Sequence, residues 1–315
     1  MRRAMELAAE VRASTSPNPW VGAVVEPGGF EGATQPPGGP HAEVVALEAA
    51  GDEARGATLV VTLEPCAHHG RTPPCVDAII DAGVARVVVG IEDPDPNVSG
   101  KGIARLREAG IDVEVGVCDD EVRAQLAPYL KHRSTGRPWL VLKLAASVDG
   151  RTAAPDGSSQ WITGEAARAD AHRLRAESDA VIVGAGTVRA DDPSLTVRHV
   201  EGRDPLRVVL GTAPPDAKVQ PALELEGDLD GVLEELGRRG VVQAVVEGGP
   251  TLAGAFHRAG LVDRYVLYLA PVLFGGDDGR SLFTGPGAPT IDDVWRGRIA
   301  SVERLGEDLK LELTR

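Results

Sequence analysis

Two of the chain's three cysteines, Cys66 and Cys75, close a short loop rich in Pro, Gly and His within Leu63-Glu64-Pro65-Cys66-Ala67-His68-His69-Gly70-Arg71-Thr72-Pro73-Pro74-Cys75. The loop is read together with His41-Ala42-Glu43 upstream. A pair of soft thiolates plus one imidazole is what a tetrahedral Zn²⁺ site requires when it keeps its fourth position for water. His41 supplies the imidazole, and Glu43 is a carboxylate placed to handle that water's protons. The fold therefore has to carry His41 to the two cysteines.

The surrounding pattern is an alternation of strands and helices. Helical spacing over Arg2 to Val11 is followed by a strand from Trp20 to Val25, and the Gly- and Pro-rich stretch Gly28 to Pro40 reads as an irregular loop. His41 to Ala50 reads as a helix with His41 and Glu43 in its first turn. Thr58 to Leu63 is an apolar strand that delivers Glu64 and Cys66, and Cys75 to Ala82 is a helix stopped by Gly83. Strand, helix, strand and a last helix (Asp119 to Arg133) complete an α/β domain over residues 1–134. Ser134-Thr135-Gly136-Arg137-Pro138 is the linker, and a second α/β domain runs over residues 139–315. Its strands begin at Trp139, Ala180, Leu206, Val241 and Arg264, with two more around Val302 and Leu309.

The net charge of -14 is spread over both halves, which sets the chain against a polyphosphate partner. No apolar run is long enough to cross a membrane, and the N-terminal residues lack the apolar core of a signal peptide. An odd number of cysteines argues against a disulfide framework. The expectation is a cytoplasmic protein that acts on a small molecule. One phosphorylated ligand remains compatible with the acidity if a few Arg or Lys side chains converge.

Placing His41 and Cys75 at helix starts stabilises a thiolate there. The pattern is the H-x-E with P-C…C arrangement of zinc deaminases, except that eight residues rather than two separate the cysteines. The competing reading is a closed structural zinc site with His68 or His69 as fourth ligand. Cys118 stands apart and reads as a small core residue. In the second half, Gly248-Gly249-Pro250-Thr251 follows a buried strand and opens a helix, so its N–H groups can meet an anion. A tight turn without a ligand fits it equally well. Neither it nor Gly184-Ala185-Gly186-Thr187-Val188-Arg189 is a G-x-G-x-x-G fingerprint.

Pro17-Asn18-Pro19, His41-Ala42-Glu43 and the run from Thr62 to Cys75 resemble the bifunctional riboflavin-biosynthesis deaminase–reductases of the RibD/RibG family. Lys143-Leu144-Ala145-Ala146-Ser147-Val148-Asp149-Gly150-Arg151, Ser159-Gln160-Trp161, Asp191 to Arg198 and Glu247-Gly248-Gly249-Pro250-Thr251 extend the resemblance over nearly the whole chain. It implies a cytidine-deaminase-like three-layer domain followed by a dihydrofolate-reductase-like domain. The implied first step is zinc-dependent deamination of 2,5-diamino-6-ribosylamino-4(3H)-pyrimidinone 5′-phosphate. The second is NADPH-dependent reduction of the ribosyl group to ribityl. His41, Cys66 and Cys75 would hold the zinc, with Glu43 as proton shuttle. Asn18, His68, Arg71 and Lys101 would hold the first substrate. In the second domain Ala145, Trp161, Thr187, Asp191 and Thr212 would meet the cofactor. So would the turn and helix start Gly249, Pro250, Thr251, Leu252, Ala253, Gly254 and Ala255. Ser159, Arg175, Leu195, Arg198 and Glu247 would meet the second substrate. The family also implies a homodimer or tetramer through the reductase domains.

Two features depart from the family pattern. Gly211-Thr212 replaces an Asp-Ser type pair, and the segment from Thr212 to Asp230 is short, which leaves a deaminase with an impaired reductase-like domain as the alternative. A nucleic-acid base deaminase is set aside by the acidic balance. A non-enzymatic zinc scaffold is the last option, and it gains if Glu43→Gln leaves zinc binding intact and changes no turnover.

Overall fold

The computed structural model describes residues 1–68, 73–96 and 98–315, in two compact units, Met1–Arg137 and Pro138–Arg315. The first unit opens with α1 (Arg2–Glu10), whose Ala4, Leu7 and Ala8 repeat at helical spacing and are buried. The order continues α2 (Arg12–Thr15), β1 (Gly22–Glu26), β2 (Phe30–Ala33), α3 (Ala42–Ala50), β3 (Thr58–Leu63) and α4 (Cys75–Ala82). It ends with β4 (Arg86–Ile91), α5 (Lys101–Glu108), β5 (Asp112–Val115) and α6 (Asp119–Thr135). Among the described residues the strands form one sheet in the order β2-β1-β3-β4-β5. β1 is antiparallel to both neighbours, and β3, β4 and β5 are mutually parallel.

Two glycines set the layering. A Cβ on Gly22 would lie 1.9 Å from the Ala4 carbonyl oxygen, and one on Gly32 would lie 2.2 Å from that of Ala42. Gly22 pairs with Ala33 and Gly32 with Ala23, so the two glycines face opposite sides of the sheet. α1 therefore lies directly on one face and α3 on the other, giving three layers. β2 is a strand where an irregular loop was expected. Gly28 and Gly29 take φ of 120° and 66° in the tight turn before it, so the residues that disguised the hairpin are the ones that form it. Cys118 also differs from expectation: it is half-buried with φ 59° just before α6, not a core residue.

The second unit runs β6 (Trp139–Ser147), β7 (Arg151–Ala153), α7 (Glu165–Ala176), β8 (Ala180–Gly184), α8 (Ala185–Asp191) and β9 (Leu206–Leu210). Then come β10 (Leu223–Leu225), α9 (Leu229–Arg238), β11 (Gln243–Val246) and α10 (Pro250–Arg258). The last strands are β12 (Arg264–Ala270), β13 (Arg280–Ser281), β14 (Arg298–Leu305) and β15 (Asp308–Thr314). The main sheet has the order β10-β9-β8-β11-β6-β12-β15-β14, parallel as far as β12 and antiparallel beyond it. β6, β8 and β11 are covered on both faces, as central parallel strands are. Leu140, Leu142 and Leu144 join a core with Leu233 and Phe256, whereas Val141, Val181 and Val245 pack with Ala167, Ala171 and Leu174 of α7. The two-residue period then puts Lys143 and Glu247 on the α7 face.

The short stretch after Thr212 still carries a strand, β10, which pairs parallel with β9. Gly211 has φ 96°, where a side chain would be strained, and its N–H reaches the Leu225 carbonyl at 2.9 Å. Glycine at this departure from the family pattern is thus what the local backbone requires. No helix among the described residues is long and apolar enough to cross a membrane.

Candidate active sites

The metal-ligating types converge in the first unit. His41 is the residue just before α3, Cys75 the first of α4, and Cys66 follows the C-terminal end of β3. His41 Nδ1 lies 3.2 Å from Cys75 Sγ and 3.7 Å from Cys66 Sγ, and the two sulfurs are 3.6 Å apart. Tetrahedral zinc, with about 2.3 Å to sulfur and about 2.0 Å to nitrogen, would space such donors by roughly 3.5–3.8 Å. The donor set fits the ion in type and spacing. The Cys75 backbone N–H, at the start of α4, donates to Cys66 Sγ at 3.3 Å. A hydrogen bond from the Cys75 thiol and the neighbouring imidazole hold the Cys66 thiol down at about 4, and the same thiol–thiolate bond pushes Cys75 up. His41 is raised, chiefly by its hydrogen bond to Cys66.

Glu43 is 4% exposed. Burial pushes its carboxyl up to about 7, with the Cys66 thiolate adding to the effect. A buried carboxylic acid beside the metal donors is out of place in a closed structural site. Of the two histidines that could close the site, His68 is exposed, and His69, like Arg71, lies outside the described residues. Asn18 is half-buried before β1, with its N–H on the Thr15 carbonyl at 2.9 Å. Lys101 opens α5, exposed, with Nζ on the Pro96 carbonyl at 2.9 Å.

A residue that the motif reading left without a role organises this loop. Glu64, 4% exposed, accepts four backbone N–H groups: Asp93 (3.2 Å), Gly100 (3.0 Å), Gly102 (2.9 Å) and Ile103 (3.2 Å). The same carboxylate thus caps α5 and ties the Lys101 segment to the strand end that carries Cys66. Its acidity next to a cysteine at a strand end was the available signal.

The second site gathers on the α7 face of the main sheet. Arg175 donates to Glu247 through Nε (2.5 Å) and Nη2 (2.9 Å), and through Nη1 to the Thr196 carbonyl (3.1 Å). Lys143 Nζ is 3.7 Å from the same carboxylate. Burial raises the Glu247 carboxyl, but the Arg175 and Lys143 charges outweigh it and hold it at about 2. Ala145 shares the face of Lys143 one strand period on. Leu195 is buried with φ 54°, and exposed Arg198 donates to Thr196 Oγ1 at 2.9 Å and to Ser194 Oγ.

The remaining expected contacts line the ends of the strands. Thr187 Oγ1 accepts the Gly249 N–H at 3.2 Å, which joins the start of α8 to the start of α10. Gly249 precedes α10, Pro250 opens it, and Thr251 and Ala255 remain accessible on it while Ala253 and Gly254 are buried. Asp191 ends α8, Thr212 is exposed after β9, and Ser159 is half-buried. Trp161 is 70% exposed, its ring 4.8 Å from the Arg168 guanidinium, so it is not a core tryptophan.

Residues 1–91 match the family described as cytidine and deoxycytidylate deaminase zinc-binding region, and residues 138–311 match the RibD C-terminal domain. The riboflavin biosynthesis protein RibD of Escherichia coli is 43% identical over 99% of this chain and 98% of its own length. That of Mycobacterium tuberculosis is 46% identical over 99% of this chain and 96% of its own. The chain belongs to the RibD family. Like that family, it is a bifunctional riboflavin-biosynthesis enzyme, a zinc-binding deaminase domain followed by an NADPH-dependent reductase domain. The solved RibD of Acinetobacter baumannii agrees, with a TM-score of 0.92 at 41% identity over 99% of this chain and 97% of that one. A Thermotoga maritima structure described as a diaminohydroxyphosphoribosylaminopyrimidine deaminase/5-amino-6-(5-phosphoribosylamino)uracil reductase gives 0.88 at 34% identity, covering 100% of this chain and 97% of that one. Because the family match spans the second unit to residue 311, the deaminase-only alternative is not favoured.

Proposed function

We propose that the two sites act in sequence on one pyrimidine phosphate: deamination of diaminohydroxyphosphoribosylaminopyrimidine, then reduction of 5-amino-6-(5-phosphoribosylamino)uracil at its ribosyl carbon. The observation that carries the reading is the His41–Cys66–Cys75 triangle beside the buried Glu43. His41, Cys66 and Cys75 would hold zinc, which would make a water nucleophilic at neutral pH. Glu43 takes one proton from the attacking water and gives it to the pyrimidine ring nitrogen, then carries that water's second proton to the amine as the C–N bond breaks, so ammonia leaves neutral and a carbonyl remains. Asn18 and His68 hold the ring, and Arg71 and Lys101 meet the phosphate.

In the second unit Ala145, Trp161, Thr187, Asp191, Thr212 and the N-terminal turns of α10 would hold NADPH, which would supply the hydride. Arg198 presents its guanidinium to the substrate phosphate. Arg175 contacts the substrate with the N–H groups left over from Glu247 and Thr196. Glu247 and Lys143 face the reacting ribosyl group, and Ser159 and Leu195 line the same space. The acidic balance sets the enzyme against nucleic acid, and its three free cysteines suit the cytoplasm. Exposed Ile299 (63%) and Val302 (59%) on the edge strand β14 support a homo-oligomer through the reductase unit.

A coupled assay with the diaminopyrimidine phosphate, zinc and NADPH tests the assignment. Glu43→Gln should abolish ammonia release while the deaminated substrate is still reduced, and Glu247→Gln should do the reverse. No ammonia release by zinc-loaded wild type would overturn the deaminase reading.

A further inference from the structure

His172 lies on α7 one turn before Arg175 and is 6% exposed. Its Nδ1 accepts the backbone N–H of Arg198 at 3.2 Å, and its ring meets that of His199 edge-on with centroids 4.6 Å apart. A ring nitrogen that receives an N–H carries no proton itself, so the imidazole is neutral with its hydrogen on Nε2. Its surroundings agree: burial first, then the Arg175 and Arg198 charges, hold the ring down at about 4.

We propose that His172 is a positioning residue for the reductase step, fixing the backbone from which Arg198 reaches the substrate phosphate. The proposal rests on the reading of Arg198 as a phosphate contact. Three consecutive residues of this segment are pinned by side chains. Arg175 Nη1 donates to the Thr196 carbonyl (3.1 Å), Asp204 Oδ1 accepts the Val197 N–H (2.7 Å), and His172 Nδ1 accepts the Arg198 N–H. Leu195, buried with φ 54°, makes the bend that starts the segment. Two of the three pins come from successive turns of α7, and one of them, Arg175, also grips Glu247. α7 thus holds the phosphate-facing loop and the buried carboxylate in one frame. Removing the His172 acceptor strands an N–H next to the guanidinium that must be aimed, which loosens ground-state binding more than it changes the chemistry.

The test is steady-state reduction of the deaminated substrate by the full-length enzyme and three variants, with ammonia release and NADPH affinity measured on each. Asn places its Oδ1 where His places Nδ1, so His172→Asn keeps the acceptor, whereas His172→Phe keeps the ring and removes it. His172→Phe should raise KM for the reductase substrate roughly tenfold with kcat within about twofold, leaving deamination and NADPH affinity alone. His172→Asn should bring KM back to within about threefold of wild type. Equal behaviour of Asn and Phe, or an unchanged KM in His172→Phe, overturns the proposal. Arg198→Ala separates the two ideas. If it raises KM and His172→Phe does not, only the role of His172 falls. If it leaves KM unchanged, the phosphate reading of Arg198 falls and takes the proposal with it. Should His172→Phe not fold, imidazole ¹⁵N spectra of the wild type decide: an Nε2–H tautomer at pH 6 is expected, and an Nδ1–H tautomer or an imidazolium is fatal.

Discussion

Arg175 grips both oxygens of Glu247, at 2.5 and 2.9 Å, while their side chains are only 13% and 7% exposed. With Lys143 at 3.7 Å, a buried anion stands between two cations.

The folded carboxyl, at about 2, lies below its unfolded value of about 4.3. Its contribution to stability is therefore complete above the unfolded value and is lost as pH falls through about 2. Glu247→Gln leaves two cations facing a neutral amide and should cost about 3 kcal/mol at neutral pH. Denaturant unfolding of wild type and variant, followed as a function of pH, should show this gap narrowing below the ordinary carboxylate range. A gap that stays constant down to the acid limit would mean that the fold does not hold the Glu247 carboxyl below its unfolded value.

Glu64 predicts a selective loss in the other unit. Gln in its place turns an –NH₂ toward at least one pair of the backbone N–H groups that Glu64 now accepts, so α5 loses half its cap. Glu64→Gln should raise the deaminase KM on the order of tenfold and leave reduction unchanged. Zinc content, measured on the purified variant, should stay at the wild-type level; its loss would place Glu64 in the metal site instead.

The same contrast explains what was legible from residue order alone. His41, Cys66 and Cys75 announced themselves because few residue types bind zinc, and strand and helix patterns around them were regular. β2 and β10 were hidden because each is only a few residues long and exists by pairing with β1 or β9, not by its own pattern. Glu64 and His172 act on N–H groups distant along the chain, and no local spacing carries that information. Arg175 and Glu247 were both read as substrate contacts; only the fold places them against each other.

Strand β14 is exposed from Arg298 to Arg304. Ile299 and Val302 leave apolar area in water on a strand at the sheet's edge. Pairing of two copies there would cover it. The double variant Ile299→Lys with Val302→Glu should lower the mass measured by light scattering to that of a single chain, while each unit keeps its melting transition. A wild type that is already monomeric at micromolar concentration would sink this expectation.

Gly32 links the sheet to the zinc site most directly. Its missing side chain lets β2 touch the first turns of α3: an added Cβ would fall 2.2 Å from the Ala42 carbonyl and 2.5 Å from the Ala46 amide nitrogen. Both are backbone atoms, so the strain cannot be relieved by a rotamer change, and the helix start has to move. His41 precedes that start and Glu43 lies within it. Gly32→Ala should destabilise the first unit by about 1–3 kcal/mol, the range for overpacked cores. Displacing His41 relative to Cys66 and Cys75 should also weaken zinc binding at least about tenfold in chelator competition, since tetrahedral ligation tolerates little change in donor spacing. NADPH binding by the second unit should be unaffected. Wild-type zinc affinity in a folded Gly32→Ala protein would show that α3 adjusts without carrying His41 with it.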